Sequence, residues 1–327
     1  MRAWRFHEPG KIGNLRLEEV AVPVPKTGEV LVRMAAAALN PADHYLVLGQ
    51  YPRAGAPPFT PGRDGAGVVE QACPGGRFRA GDQVVLLGGL TGISEQGTLA
   101  ECAAVPEDWL APLPAGWTVR EGAAAPLVYL TAWHALVICG GLQAGQTVLV
   151  TGASGGVGTA AVMLANSLGA RVLALSRSPE KRARLESLGA MALDAAAPDI
   201  EKQVKNAAGN GPIGLIVENL GGPHLNRCAR MVGFGGRIIV VGLLAGLNAE
   251  VTVGLLIHKC IRIEGISVSA YKADEARRAW EEIVGRLGTA GLRPIIDRVF
   301  PMTGVQEAFA HLQRGPFGKV IIDTGAL

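Results

Sequence analysis

The residues with the most chemical content form a glycine-rich turn, Thr151-Gly-Ala-Ser-Gly-Gly-Val-Gly158, entered from the apolar run Val148-Leu-Val150 and leading into a helical stretch to Ser167. A strand that turns through glycines into a helix gathers free backbone N–H groups and the positive end of the helix dipole at one point. That arrangement suits an anionic diphosphate. Gly155 lets the backbone approach such a group, and Gly158 lets the helix pack closely on the strand. The first glycine of the usual G-x-G-x-x-G pattern is Ala153 here. Ser154, Gly155, Gly156 and Val157 are therefore the candidate contacts to a dinucleotide.

The end of the following strand selects the dinucleotide. An NAD site carries Asp or Glu about 20 residues after the turn, where it holds the ribose 2′-OH. In Arg171-Val-Leu-Ala-Leu-Ser-Arg-Ser-Pro-Glu-Lys181 that position is Ser176, followed by Arg177, with Lys181 one helical turn further on. Hydroxyls and cations without a carboxylate favour a 2′-phosphate, so the expected cofactor is NADP(H). The competing reading makes Arg177 and Lys181 a solvated helix start. Asn219 and Gly242 follow the fourth and fifth expected strands, at the carboxyl ends where open α/β sheets bind ligands.

The elements that must hold these residues follow two grammars. Up to about residue 120 the chain reads as β-rich, with runs such as Glu29-Val-Leu-Val-Arg-Met34 and Gln83-Val-Val-Leu-Leu87 between turn clusters. Beyond residue 122, strands and helices alternate at the spacing of βαβ units: strands at 148–150, 171–175, 191–193, 215–218, 237–241 and 261–266, with helices between them. This predicts an α/β fold with a doubly wound parallel sheet. The helix 274–287 and the closing segment 309–322 return to the first domain.

Composition excludes several classes. The chain has 327 residues and a net charge of +3 with no basic cluster, which gives no footprint for nucleic acid. Five cysteines, odd in number and without a CxxC pair, point to a reducing compartment and so to the cytoplasm. From Gly122 to Ala170 there is no Asp, Glu, Lys or Arg. Pro126, His134 and Gly140-Gly141 break that run, and no basic cluster flanks it, so it reads as buried helix and strand and not as a membrane span.

ALNPADHYLVLGQYP (38–52), PGRDGAGVV (61–69), AGDQVV (80–85), LTAWHAL (130–136), TGASGGVG, Lys181 with LGA (188–190) and GKVII (318–322) together resemble the medium-chain dehydrogenase/reductase superfamily, and within it the zinc-independent quinone oxidoreductases. The resemblance covers essentially the whole chain. It implies a GroES-like catalytic domain, residues 1–121 and 267–327, around an inserted Rossmann NADP-binding domain, residues 122–266, with the active site in the cleft between. It also implies that the catalytic-zinc ligands of related alcohol dehydrogenases fall at Asn40, Arg63 and Leu127, which cannot ligate zinc. No metal is expected.

Without a Lewis acid, hydride transfer needs an acceptor that is already electrophilic, such as a quinone or an α,β-unsaturated carbonyl. By the same resemblance Tyr45 donates to the developing oxygen, Asn40 and Asp43 organise the site, Tyr51 lines the substrate position and Thr131 touches the cofactor. The competing readings are amphipathic packing for the two tyrosines and a cap or ion pair for Asp43. Competing functions are an enoyl-thioester reductase, a metal-free or zinc-type alcohol dehydrogenase, and a catalytically silent NADPH-binding protein. The expected partners are a small electrophilic acceptor and a second copy of the chain, because the apolar strands 237–241 and 261–266 would otherwise leave a bare sheet edge.

Overall fold

The structure is a computed structural model that describes residues 1–52, 54–209 and 211–325. Its first stretch contains β1 (Arg2–Arg5), β2 (Arg16–Glu19), β3 (Glu29–Leu39), α1 (Pro41–Val47), β4 (Asp64–Gln71), β5 (Gln83–Leu86), β6 (Cys102–Pro106), β7 (Leu110–Pro112) and α2 (Val119–Ala124). Next come α3 (Pro126–Trp133), β8 (Thr147–Val150), α4 (Gly156–Ser167), β9 (Arg171–Ser176), α5 (Pro179–Ser187), β10 (Met191–Asp194), α6 (Ile200–Ala208) and β11 (Ile213–Glu218). The chain continues through α7 (His224–Met231), β12 (Arg237–Val240), α8 (Val253–Lys259), β13 (Arg262–Gly265), α9 (Ala273–Thr289), β14 (Ile296–Pro301), α10 (Val305–Gln313) and β15 (Lys319–Asp323).

Two compact units result. One comprises Met1–Leu127, Tyr271–Val284 and Arg293–Leu327, and the other Val128–Ala270 and Gly285–Leu292. The first unit is organised by a seven-stranded sheet in the order β14-β15-β3-β4-β5-β7, with β6 paired to β3. The long strand β3, EVLVRMAAAAL, is buried almost throughout, as expected for a strand covered on both faces. One apolar cluster joins Leu39, Leu46, Phe59, Phe309, Val320 and Ile322. A second joins Val30, Val32, Met34, Val69, Val84 and Leu86. Burying these side chains is the main force holding the sheet together.

The second unit is a parallel six-stranded sheet in the order β10-β9-β8-β11-β12-β13. Chain progression runs one way from β8 to β10 and the other way from β11 to β13. The switch point therefore lies between β8 and β11, and this is the doubly wound order expected from the sequence. The charge-free segment is mostly buried helix and strand, apart from a largely exposed stretch at 138–146: α3 runs into a turn closed by Cys139 N–H donating to His134 O at 2.9 Å, and then β8 and α4 follow. No helix among the described residues is long and apolar enough to cross a membrane. Between β12 and β13 the chain forms α8, which begins at Val253. Thr252 there starts a helix whose exposed side carries Val253 and Ile257.

Candidate active site

In the first unit, three adjacent strands bring polar side chains to one end of the sheet. Asn40 directly follows β3, Asp64 opens β4 and Lys319 opens β15, and β3 lies between the other two. The register pairs Asp64 with Ala38 and Val320 with Leu39, so the three side chains converge. Lys319 Nζ donates to Asn40 Oδ1 at 2.6 Å and to Asp64 Oδ2 at 2.9 Å. Asn40 Nδ2 donates to the same Asp64 oxygen at 2.9 Å, and the Leu127 N–H donates to Asp64 Oδ1 at 3.0 Å. All three side chains are buried, so each charge is neutralised and hydrogen-bonded inside the fold.

Pro41 at the first turn of α1 suits a helix start, and Asp43 places a carboxylate in that turn. Asp43 Oδ2 accepts the Asn40 N–H at 2.8 Å, while its Oδ1 is buried without a partner. Burial pushes the Asp43 carboxyl up to about 6, opposed by Arg63, the Asn40 N–H and Lys319 and assisted by Asp64. The structure thus brings Asn40 and Asp43 into one network. Tyr45 stands apart from it: its ring lies edge-on to His44 at 6.1 Å, and burial raises its phenol above the usual value. Tyr51 is engaged by Arg63, which donates to its hydroxyl at 3.0 Å and stacks 5.7 Å from its ring centroid.

In the second unit, the glycine-rich turn ends at Gly155, the residue that opens α4 with extended backbone and no side-chain cap. The first N–H groups of α4 therefore have no partner within the helix. A Cβ at Gly158 would come within 2.4 Å of Gly152 O, so only glycine permits this approach. Asn219 follows β11 and is held by Nδ2 donating to Thr151 O at 2.8 Å. Its Oδ1 is buried and unpartnered, and a Cβ at Gly242 would lie 2.1 Å from Asn219 O. An open helix start, a glycine cradle and an orphaned acceptor, all at carboxyl ends of parallel strands, fit a dinucleotide. Thr131 is buried on α3, while Ser154, Gly156 and Val157 are half-buried at the turn.

Ser176 is buried at the end of β9, Arg177 is exposed and Lys181 is half-buried. The Ser178 hydroxyl caps α5 by accepting the Lys181 N–H at 3.3 Å. Two neighbours escape a reading confined to one strand. Asp194 pairs in register with Ser176, and Arg182 lies 3.4 Å from its Oδ1. Arg182 also donates to Ser176 O at 3.1 Å and Arg177 O at 2.9 Å. Asp64 and Lys319 were likewise visible only as parts of PGRDGAGVV and GKVII. A lysine heading an apolar strand was the available signal.

The alcohol dehydrogenase GroES-like domain model matches residues 26–115, and the zinc-binding dehydrogenase model matches residues 156–285. Rat quinone oxidoreductase is 31% identical over 98% of this chain and 97% of its own length. The chain belongs to the medium-chain dehydrogenase/reductase family. It is an oxidoreductase of that family, with a GroES-like sheet unit and a Rossmann unit. Among solved structures, an NAD-dependent alcohol dehydrogenase superposes with a TM-score of 0.90 at 30% identity, covering 99% of this chain and 100% of that one. A putative alcohol dehydrogenase from Sinorhizobium meliloti gives 0.88 at 35% identity, covering 98% of each.

Zinc is the metal that the second family model brings to mind, and the donor set here does not fit it. Asn40 Oδ1 already accepts the Lys319 ammonium, and Arg63 places a second buried cation beside Tyr51. Leu127 offers no ligand atom. Zinc binds through thiolate, imidazole or carboxylate in a tetrahedral set. Both Asp64 oxygens are already taken by Lys319, Asn40 and the Leu127 N–H, and Asp64 with Asp43 makes only two carboxylates beside two buried cations, with no thiolate or imidazole to complete a zinc set.

Proposed function

We propose that this medium-chain oxidoreductase uses NADPH to reduce a quinone or an α,β-unsaturated carbonyl without a metal. The observation that carries the reading is the Lys319–Asp64–Asn40 cluster, in which Asn40, at a position where related enzymes would need a metal ligand, is engaged by a buried ammonium and carboxylate. The likeness to quinone oxidoreductases supports the acceptor class. When bound, the reduced nicotinamide supplies the hydride. The α4 start with Ser154, Gly155, Gly156 and Val157 receives the diphosphate. Ser176, Arg177 and Lys181 receive the 2′-phosphate, while Thr131, Asn219 and Gly242 contact the remainder of the cofactor. In the first unit Tyr45 donates toward the oxygen that gains charge, Asn40 and Asp43 hold the substrate side in place, and Tyr51 lines it through its Arg63 contact.

A second reading, an NAD-dependent alcohol dehydrogenase, draws support from Asp194 beside Ser176 and from the solved neighbour of that name. Loss of NADPH or NADH absorbance is followed with a panel of quinones, enones and enals, and NAD⁺ or NADP⁺ reduction with a panel of alcohols. NADPH oxidation by quinones or enones is expected. Turnover only with NAD⁺ and alcohols reverses the assignment.

We further propose a homodimer in the cytoplasm, free of nucleic acid and membrane. Its interface is the β13 edge with the exposed apolar Phe234, Leu244, Leu247 and Ile257 of the same unit. The five cysteines are unpaired, in keeping with a reducing compartment. A monomer in sedimentation at micromolar concentration overturns the dimer.

A further inference from the structure

Glu218, the last residue of β11, is wholly buried. Its Oε1 accepts the Thr151 hydroxyl at 3.0 Å and the Leu220 N–H at 3.0 Å, and its Oε2 accepts the Gly221 N–H at 2.6 Å. The Thr151 hydroxyl in turn accepts the Asn219 N–H at 2.9 Å. Thr151 follows β8 and Glu218 ends β11, so this carboxylate joins the two strand ends that flank the switch point of the sheet. Dinucleotides bind outside that point in open α/β sheets.

A buried carboxylate is costly unless donors fill its acceptor sites, and an apolar residue would fill the space more cheaply. Here the donors come from the loop after β11 and the residue after β8. The same loop is tied on its far side by the Ala245 N–H donating to Leu220 O at 2.6 Å. It is therefore held without slack, and the adjacent Asn219 keeps its Oδ1 buried and unpartnered. Fixing loop backbone before a ligand arrives lowers the ordering cost of binding.

We propose that Glu218 is a positioning residue of the dinucleotide site, its carboxylate holding the ends of β8 and β11 at the spacing the cofactor requires. This rests on the crevice being a nicotinamide-dinucleotide site. The test measures NADPH binding by tryptophan fluorescence for the full chain and for Glu218→Gln, Thr151→Val and Thr151→Ser. Melting midpoints are recorded for each, with kcat and KM for p-benzoquinone at saturating NADPH.

Glu218→Gln and Thr151→Val are expected to raise the NADPH Kd about tenfold, with Thr151→Ser within about twofold of wild type. The quinone KM stays within about twofold throughout, because the acceptor does not depend on this link. An unchanged NADPH Kd in either variant, even with a lowered melting midpoint, makes the link structural only and overturns the proposal. Where Glu218→Gln fails to fold, Thr151→Val decides alone. A wild type that binds neither NADPH nor NADH refutes the cofactor reading itself and this role with it, a result distinct from wild-type binding that the variants leave unaltered.

Discussion

Lys319 Nζ and Asp64 Oδ2 lie 2.9 Å apart with both side chains buried, at the heads of β15 and β4 on either side of β3. The pair closes a ring, because Asn40 donates to Asp64 and accepts from Lys319. Asn40 therefore has its amide orientation fixed by charge: a flipped amide would point two N–H groups at an ammonium. The ring also fixes the residue that opens α1, and with it the direction in which Asp43 and Tyr45 leave the sheet.

Removing one member strands the other. Lys319→Met keeps most of the side-chain volume but leaves the Asp64 carboxylate buried without its cation, a change that costs about 3–5 kcal/mol. The double variant Lys319→Met/Asp64→Asn is expected to recover most of that loss, since no uncompensated charge remains. Urea unfolding of wild type, single and double variants measures both quantities. A single variant as stable as wild type would show that the ammonium does not compensate Asp64.

Asp43 makes stability depend on pH. Its carboxyl lies at about 6 in the fold against an ordinary value of 3.8, so the folded chain holds this proton more tightly than the unfolded chain. Between those values the folded state carries more protons, and stability falls as pH rises. The contribution is complete below the ordinary value and is lost as pH rises through about 6. Asp43→Asn keeps the shape and stays neutral. It is expected to be more stable than wild type at pH 8 by on the order of 3 kcal/mol, and equal to it in acid near the ordinary value. Melting midpoints across that range would contradict this if the two proteins differed by a constant amount.

The Rossmann unit was legible almost element by element, because each βα step announces itself through a short apolar strand, a glycine and a charged helix. The polar cluster proposed for the active site was not. Asn40 and Asp43 stood out through their place in a motif, yet Lys319 lies far along the chain from both and meets them only because β15 inserts beside β3. No periodicity reports that pairing. Glu218 and Arg182 are a similar case, since one looks like a strand end and the other like a solvated helix residue. Tyr51 stood out through its place in ALNPADHYLVLGQYP, but that Arg63 donates to its hydroxyl could not be read from the sequence. Arg63 was visible in sequence only as an absent zinc ligand.

Cofactor preference tests the strand end directly. Arg177 is exposed and Lys181 half-buried, so each contact with a 2′-phosphate is discounted for solvent. Arg177→Ala or Lys181→Ala is expected to weaken NADPH binding about tenfold, at about 1.4 kcal/mol, and to leave NADH within about twofold. Asp at position 176 is expected to reverse the preference by repelling the phosphate and offering a ribose acceptor. Titrations with both cofactors decide it, and equal weakening of both by Lys181→Ala would place the phosphate elsewhere.

Asp194 would work against the proposed preference, and Arg182 would restrain it. The carboxylate stands opposite Ser176 in register, one strand away from where an NAD enzyme carries its own. Arg182 lies 3.4 Å from Asp194 Oδ1, and the Ala196 N–H donates to the same oxygen at 2.9 Å. Both side chains are partly exposed, so the pairing is modest in energy, but its effect on a doubly charged phosphate nearby is one of sign. Arg182→Met should expose that phosphate to an uncompensated carboxylate and weaken NADPH binding by about three- to tenfold, with a smaller effect on NADH. Arg182 also holds the Ser176 and Arg177 carbonyls, so part of any loss could come from the backbone alone. Adding Asp194→Asn separates the two causes: recovery of NADPH affinity in the double variant assigns the loss to charge. If the double variant binds NADPH no better than Arg182→Met, the carboxylate is not felt at the phosphate, and Arg182 acts only by holding the end of β9.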